Sequence, residues 1–167
     1  RDRGPTLIEG DTPMKKVLLV AVLIAAAAVS RQIVYAHCQI PCGIYDDPAR
    51  FAALAEHITT IEKSMKQIGE LSKDPAANAN QVTRWVMNKE DHADQLSAIV
   101  TEYFLQQRIK PVAAGSGHET EVYVGKLTAC HQMLVASMKA KQTTDLAHVQ
   151  TLREGLARFK ALYEHKH

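Results

Sequence analysis

The stretch DDPARFAALAEHITTIEKSMKQIGEL, residues 46–71, decides the fold. Asp46-Asp47-Pro48 opens it as a helix start, with Asp47 the expected N-cap and Pro48 at the first helical position, where a missing N–H costs nothing. Phe51, Leu54, Ile58, Ile61, Met65, Ile68 and Leu71 then recur at three- and four-residue spacing, which is one apolar face of a helix. Asp74-Pro75 ends that helix and offers a cap for the next. Nothing in the stretch alternates with the period of two that a strand needs.

Three further helices follow from the same reasoning. The second is expected over Ala77 to Gln107, with Val82, Trp85, Val86, Leu96, Ile99, Val100, Tyr103 and Phe104 on its apolar face. Asn88-Lys89-Glu90-Asp91-His92 interrupts that face, so the helix is either exposed there or turned toward a polar site. Pro111 through Gly117 read as a loop, with Pro111, Gly115 and Gly117 as breakers. The third helix takes Glu119 to Lys141, burying Val124, Leu127, Cys130 or His131, Leu134 and Met138. Thr143-Thr144-Asp145 caps a fourth, whose face is Leu146, Val149, Leu152, Leu156, Phe159 and Leu162. Short connections favour antiparallel neighbours, and the fold class expected is all-α, an up-and-down four-helix bundle.

Ahead of the bundle the pattern changes. Residues 1–13 carry Gly, Pro and charges without periodicity and read as an upstream, non-native extension. Residues 14–36 read as a signal peptide: Lys15 and Lys16 are a positive n-region, Val17 to Val29 an apolar core, and Val34-Tyr35-Ala36 a small-residue cleavage pattern. An apolar run of about a dozen residues is short for a bilayer, which needs roughly 20. The expectation is therefore Sec-type export to the periplasm or beyond, with signal peptidase as a partner. The alternative is an uncleaved membrane anchor. Cutting after Ala36 makes residues 37–167 the mature domain, long enough for one real core.

Residues 1–36 hold five of the twenty Lys+Arg and three of the eighteen Asp+Glu, which leaves fifteen of each in the mature part. A formal charge of zero without basic runs excludes the electrostatic footprint of a nucleic-acid binder. Of the three cysteines, Cys38 and Cys42 sit together at the front and Cys130 lies alone on a helix, where it reads as a small buried hydrophobe. His57, His118, His131 and His148 show no spacing that pairs them, and each reads as structural or exposed. Trp85, Tyr103 and Phe104 read as core or subunit contacts.

Cys38-x-x-x-Cys42 alone fits a disulfide, a zinc half-site or two solvent-facing thiols. His37 sharpens it. As the first mature residue, His37 brings an amine and an imidazole beside two thiolates, and the Cys38 backbone nitrogen lies between the amine and the Cys38 side chain. A planar set of nitrogen and sulfur donors favours nickel(II) or copper(II) over tetrahedral zinc. Pro41 and Gly43 suit the tight turn that returns Cys42 toward Cys38.

His37-Cys38-Gln39-Ile40-Pro41-Cys42-Gly43-Ile44-Tyr45-Asp46 resembles the nickel hook of the nickel-containing superoxide dismutases. The resemblance implies one nickel ion per subunit, held by the His37 amine and imidazole, the Cys38 amide nitrogen and thiolate, and the Cys42 thiolate. It implies that Tyr45 stands over the open face of the metal as gate and hydrogen-bonding partner. It implies a Ni(II)/Ni(III) cycle that converts superoxide to dioxygen and hydrogen peroxide, in a homohexamer served by nickel-maturation factors. A carboxylate from the first helix and a basic residue from the second are expected to support the axial imidazole, and Glu56 and His92 are the nearest candidates. Gln39 departs from the acidic residue common after the first cysteine, so one negative charge near the metal is gone. Two readings compete: an exported, non-catalytic bundle holding nickel or copper at the same hook, and a structural bundle with a Cys38–Cys42 disulfide.

Overall fold

A computed structural model describes Val17 and residues 44–113 and 117–164. The chain divides after Cys38 into two units, and in the first only Val17 is described, as helical. The hook residues 37–43 and the cleavage pattern lie outside the described residues.

The second unit is all-helical among its described residues. Helix α1 is Asp47–Leu71, α2 is Pro75–Ala98, α3 is His118–Gln142 and α4 is Ala147–Glu164. Along its length α1 packs on α2 and α3 packs on α4, while α2–α3 and α1–α4 contacts close the ring. That is the expected up-and-down bundle. Its core joins Leu54, Ile58, Ile61 and Met65 of α1 to Leu96 of α2, Met133 of α3, and Val149, Leu152 and Phe159 of α4. Each such large side chain contributes about 1.5–3 kcal/mol by leaving water.

The cap of α1 is Asp46, whose Oδ1 accepts the Ala49 N–H at 3.0 Å. Asp47, the expected cap, is instead the first helical residue, and its carboxylate is free for other partners. Asp74 caps α2 as expected, accepting from Ala77 at 3.2 Å, but the helix begins at Pro75 rather than Ala77.

Beyond Ala98 the second helix does not continue as α. Ile99–Arg108 is π-helical and ends with the Ile109 N–H donating to Phe104 O at 2.8 Å, an i to i+5 bond. The change of pitch has a consequence for side chains. In an α-helix residues five apart diverge by about 140°; in a π-helix the i+5 residue lies about one turn above residue i. Tyr103 and Arg108 therefore share a face that α geometry would deny them.

Expectations for three of the helices are corrected. In α3 the buried residues are Ala129, Cys130, Met133, Ala136, Ser137 and Ala140, whereas Val124 and Met138 are 51% and 50% exposed and His131 is exposed. Small side chains let α3 approach its neighbours closely: a Cβ on Gly155 of α4 would stand 2.8 Å from Met133 Cγ. Leu146 of the fourth face is also exposed, lying ahead of α4. In α2 the polar interruption is not a solvated turn. Lys89 is only 3% exposed and its ammonium donates to the carbonyls of Ala140 (2.7 Å), Lys141 and Thr143 (3.3 Å), closing the C-terminal end of α3. Asn88 donates to Ser64 at 2.9 Å.

Candidate metal centre

Tyr45 is where the described chain meets the expected hook. It lies just ahead of the Asp46 cap, outside regular structure, and is 41% exposed. Its ring packs edge-on to Tyr103, with centroids 6.2 Å apart at 74°, and lies 4.5 Å from the Arg108 guanidinium carbon. Arg50 covers Tyr103 from α1 at 5.2 Å.

Beneath Tyr45 the Asp47 carboxylate gathers three elements. Arg108 donates to it twice, from Nε at 2.8 Å and Nη2 at 2.5 Å. Tyr103 Oη donates at 2.5 Å, and Tyr163 Oη, from α4, donates at 2.9 Å. Burial by itself would raise the Asp47 pKa, but hydrogen bonds from Arg108, Tyr103 and Tyr163 outweigh it and hold the carboxyl below its ordinary value. The phenols respond in the opposite sense. Burial first, then the bond to Asp47, pushes Tyr163 up to about 12 and raises Tyr103 further, so both remain protonated donors at neutral pH. Arg108 and Tyr163 carried no sequence signal beyond their charge or ring, and Asp47 was read only as a helix cap, because the three meet only in the folded bundle.

Of the predicted site residues, Tyr45 is placed on this end of the bundle, and His37, Cys38 and Cys42 lie outside the described residues. Glu56 is exposed on α1. His92 is half-buried and its Nδ1 stands 2.8 Å from Nδ1 of His57, the rings 5.0 Å apart. His57 was expected to be unpaired; the bundle pairs it across α1 and α2. Such a contact requires one ring to donate and the other to accept, so at least one imidazole is neutral. Burial, then the neighbouring His92, lowers the His57 pKa, and Glu56 opposes this through its charge.

Among the described residues no group of three or more His, Cys, Asp or Glu could hold a metal ion. Cys130 is free and fully buried, and burial pushes its thiol up to about 12, so it is protonated at neutral pH. Donors of the right chemistry for nickel, two thiols with an imidazole, are grouped in the sequence at His37, Cys38 and Cys42.

No curated protein and no solved structure shows significant similarity to the chain. A family model described as nickel-containing superoxide dismutase matches residues 32–167, a span that takes in the His37–Asp46 motif and all four helices. With its sulfur- and nitrogen-rich front and helical bundle inside that match, the chain belongs to the nickel-containing superoxide dismutases, oxidoreductases whose cofactor is nickel.

Proposed function

We propose that this chain disproportionates superoxide at a nickel ion held by residues 37–42, and that the mature protein begins at His37. The family match over residues 32–167 carries the reading, because it includes the segment where the donors are grouped. The His37 amine and imidazole, the Cys38 amide nitrogen and thiolate, and the Cys42 thiolate are the ligands. Bound there, nickel would supply the one-electron Ni(II)/Ni(III) chemistry that disproportionation requires, in which two superoxide anions and two protons give one dioxygen and one peroxide. Thiolate and amide donation bring the potential of that couple within reach. Tyr45, next in sequence to the ligand segment, would act as its gate and would offer its hydroxyl to the incoming anion. His92, paired with His57, and Glu56, whose charge acts on that pair, are the residues we assign to the supporting role that the family resemblance implies for the second and first helices.

An amine ligand at His37 requires removal of everything ahead of it, whereas the maturation factors and the homohexamer are what the family resemblance implies. Residues 14–36 direct export and are removed after Ala36 by signal peptidase, maturation factors deliver nickel, and the subunits assemble as a homohexamer.

The test keeps one residue too many. A protein extended by Ala ahead of His37 has an amide in place of the amine and should still fold as a helical bundle by circular dichroism. It should show no superoxide disproportionation and no nickel(III) electron-spin signal, whereas a sulfur-based metal carrier would keep its nickel. Cys38→Ser and Cys42→Ser should abolish nickel binding, and Cys130→Ser should leave it intact. Full activity in the extended protein would overturn the hook as the catalytic centre.

A further inference from the structure

Tyr45 has no helix to hold it, yet the proposed chemistry needs its ring in one place. Among the described residues its ring meets Tyr103 edge-on and has the Arg108 guanidinium carbon over it at 4.5 Å from the ring centroid. Arg108 is itself immobilised. Both oxygens of Asp47 accept from it in a forked pair, and its Nε also donates to Tyr163 Oη at 3.1 Å. The fork fixes the plane of the guanidinium, and a fixed plane can serve as a platform for an aromatic ring. The π-helical turn at Ile99–Arg108 is what lets Arg108 and Tyr103 reach Asp47 from the same side.

We propose that Arg108 is the positioning residue for Tyr45, a platform clamped by Asp47 that sets where the Tyr45 ring stands at the root of the metal-binding segment. This rests on the reading of Tyr45 as the gate of the nickel site. Arg108 does not act as a free attractor of superoxide, because its charge is paired with Asp47 at hydrogen-bond distance. Geometry, not charge, is its contribution.

Arg108→Lys separates the two, since lysine keeps the charge and loses both the fork and the flat face. Asp47→Asn tests the clamp from the other side, leaving Arg108 in place but unpaired. The mature full-length protein is labelled with 3-fluorotyrosine, and its Tyr45 fluorine resonance, assigned with Tyr45→Phe, is read in the metal-free and nickel-loaded forms. Both variants should shift or broaden that resonance in either form. In the loaded enzyme both should lower kcat, by up to about a hundredfold for a displacement of about 1 Å, with KM and the ionic-strength dependence nearly unchanged. Leu152→Ala, in the core on α4, lowers stability without touching Tyr45 and should leave the resonance and kcat as they are.

Wild-type kinetics in Arg108→Lys with an unmoved Tyr45 resonance would overturn the proposal. So would a loss of rate in which the resonance stays put, or an Arg108→Gln variant that alone is slow and loses salt dependence, since charge steering would then be the role. Because the fluorine resonance is read without nickel, the Tyr45–Arg108 contact is decided even if the wild-type protein shows no disproportionation, an outcome that would count against the hook instead.

Discussion

Lys89→Met asks whether a buried ammonium on one helix holds the end of another. The side chain is 3% exposed and donates to three carbonyls at the end of α3, with Glu90 at 3.4 Å as its nearest carboxylate. Methionine fills nearly the same volume, so no cavity opens and the change isolates the polar contacts. Thr143 is exposed and its carbonyl can turn to water. Ala140 is fully buried, and its carbonyl, among the last of the helix, is left without a partner. An unsatisfied buried acceptor costs about 1–3 kcal/mol, and losing a cation at a helix C-terminus costs about 0.3–1 kcal/mol more. Relief of the desolvated ammonium offsets part of this. The expected net is about 2 kcal/mol, or about 8 °C in Tm at roughly 4 °C per kcal/mol for a domain of this size. Thermal melts and urea titrations of the metal-free protein measure it, with an unchanged m-value showing that the unfolded state is the same. Lys141→Met, which loses a solvent-screened pair with Asp94 at 2.7 Å, is the comparison and should move the melt far less. If Lys89→Met melts at or above the wild type, the ammonium is not what closes α3.

Two further outcomes test other parts of the bundle. His57 has a folded pKa lowered from 6.5 by burial and by His92, so the unfolded chain takes up the proton first as pH falls. Its contribution to stability is present above about 6.5 and lost on acidification through the lower folded value. The urea midpoint should be flat from pH 8 to 7 and fall between 6.5 and 5, with His57→Gln showing a shallower fall; parallel curves would refute control by the pair. Gly69 is exposed in α1 with nothing within 4 Å of a new Cβ, so Gly69→Ala should stabilise by about 0.5–1 kcal/mol. Gly155→Ala gains the same helix propensity but drives a methyl to 2.8 Å from Met133 Cγ, and overpacking of about 1–3 kcal/mol should win. Calorimetric melts that rise for both would mean α3 and α4 are not in close approach at that point.

The face of α1 was legible almost residue by residue, because Phe51, Leu54, Ile58, Ile61, Met65 and Ile68 are large, apolar and regularly spaced, and that pattern depends on nothing outside the segment. The grouping of His37, Cys38 and Cys42 within six residues of one another is likewise a property of the sequence alone, and all three lie outside the described residues. The buried face of α3 was not legible. Bulky Val124 and Met138 looked like core residues, but the tight approach of neighbouring helices gave the interior to alanine, serine and cysteine. Asn88 to His92 looked solvated or site-facing because a sequence cannot show that Lys89 meets carbonyls about fifty residues on, or that His92 meets a histidine on another helix. Which of Asp46 and Asp47 capped α1 was likewise settled from outside the helix, by Arg108, Tyr103 and Tyr163 converging on the second carboxylate. Local periodicity follows from the helix repeat and can be read along one strand of text. The fate of a buried polar group depends on a partner from another helix, and only packing brings the two together.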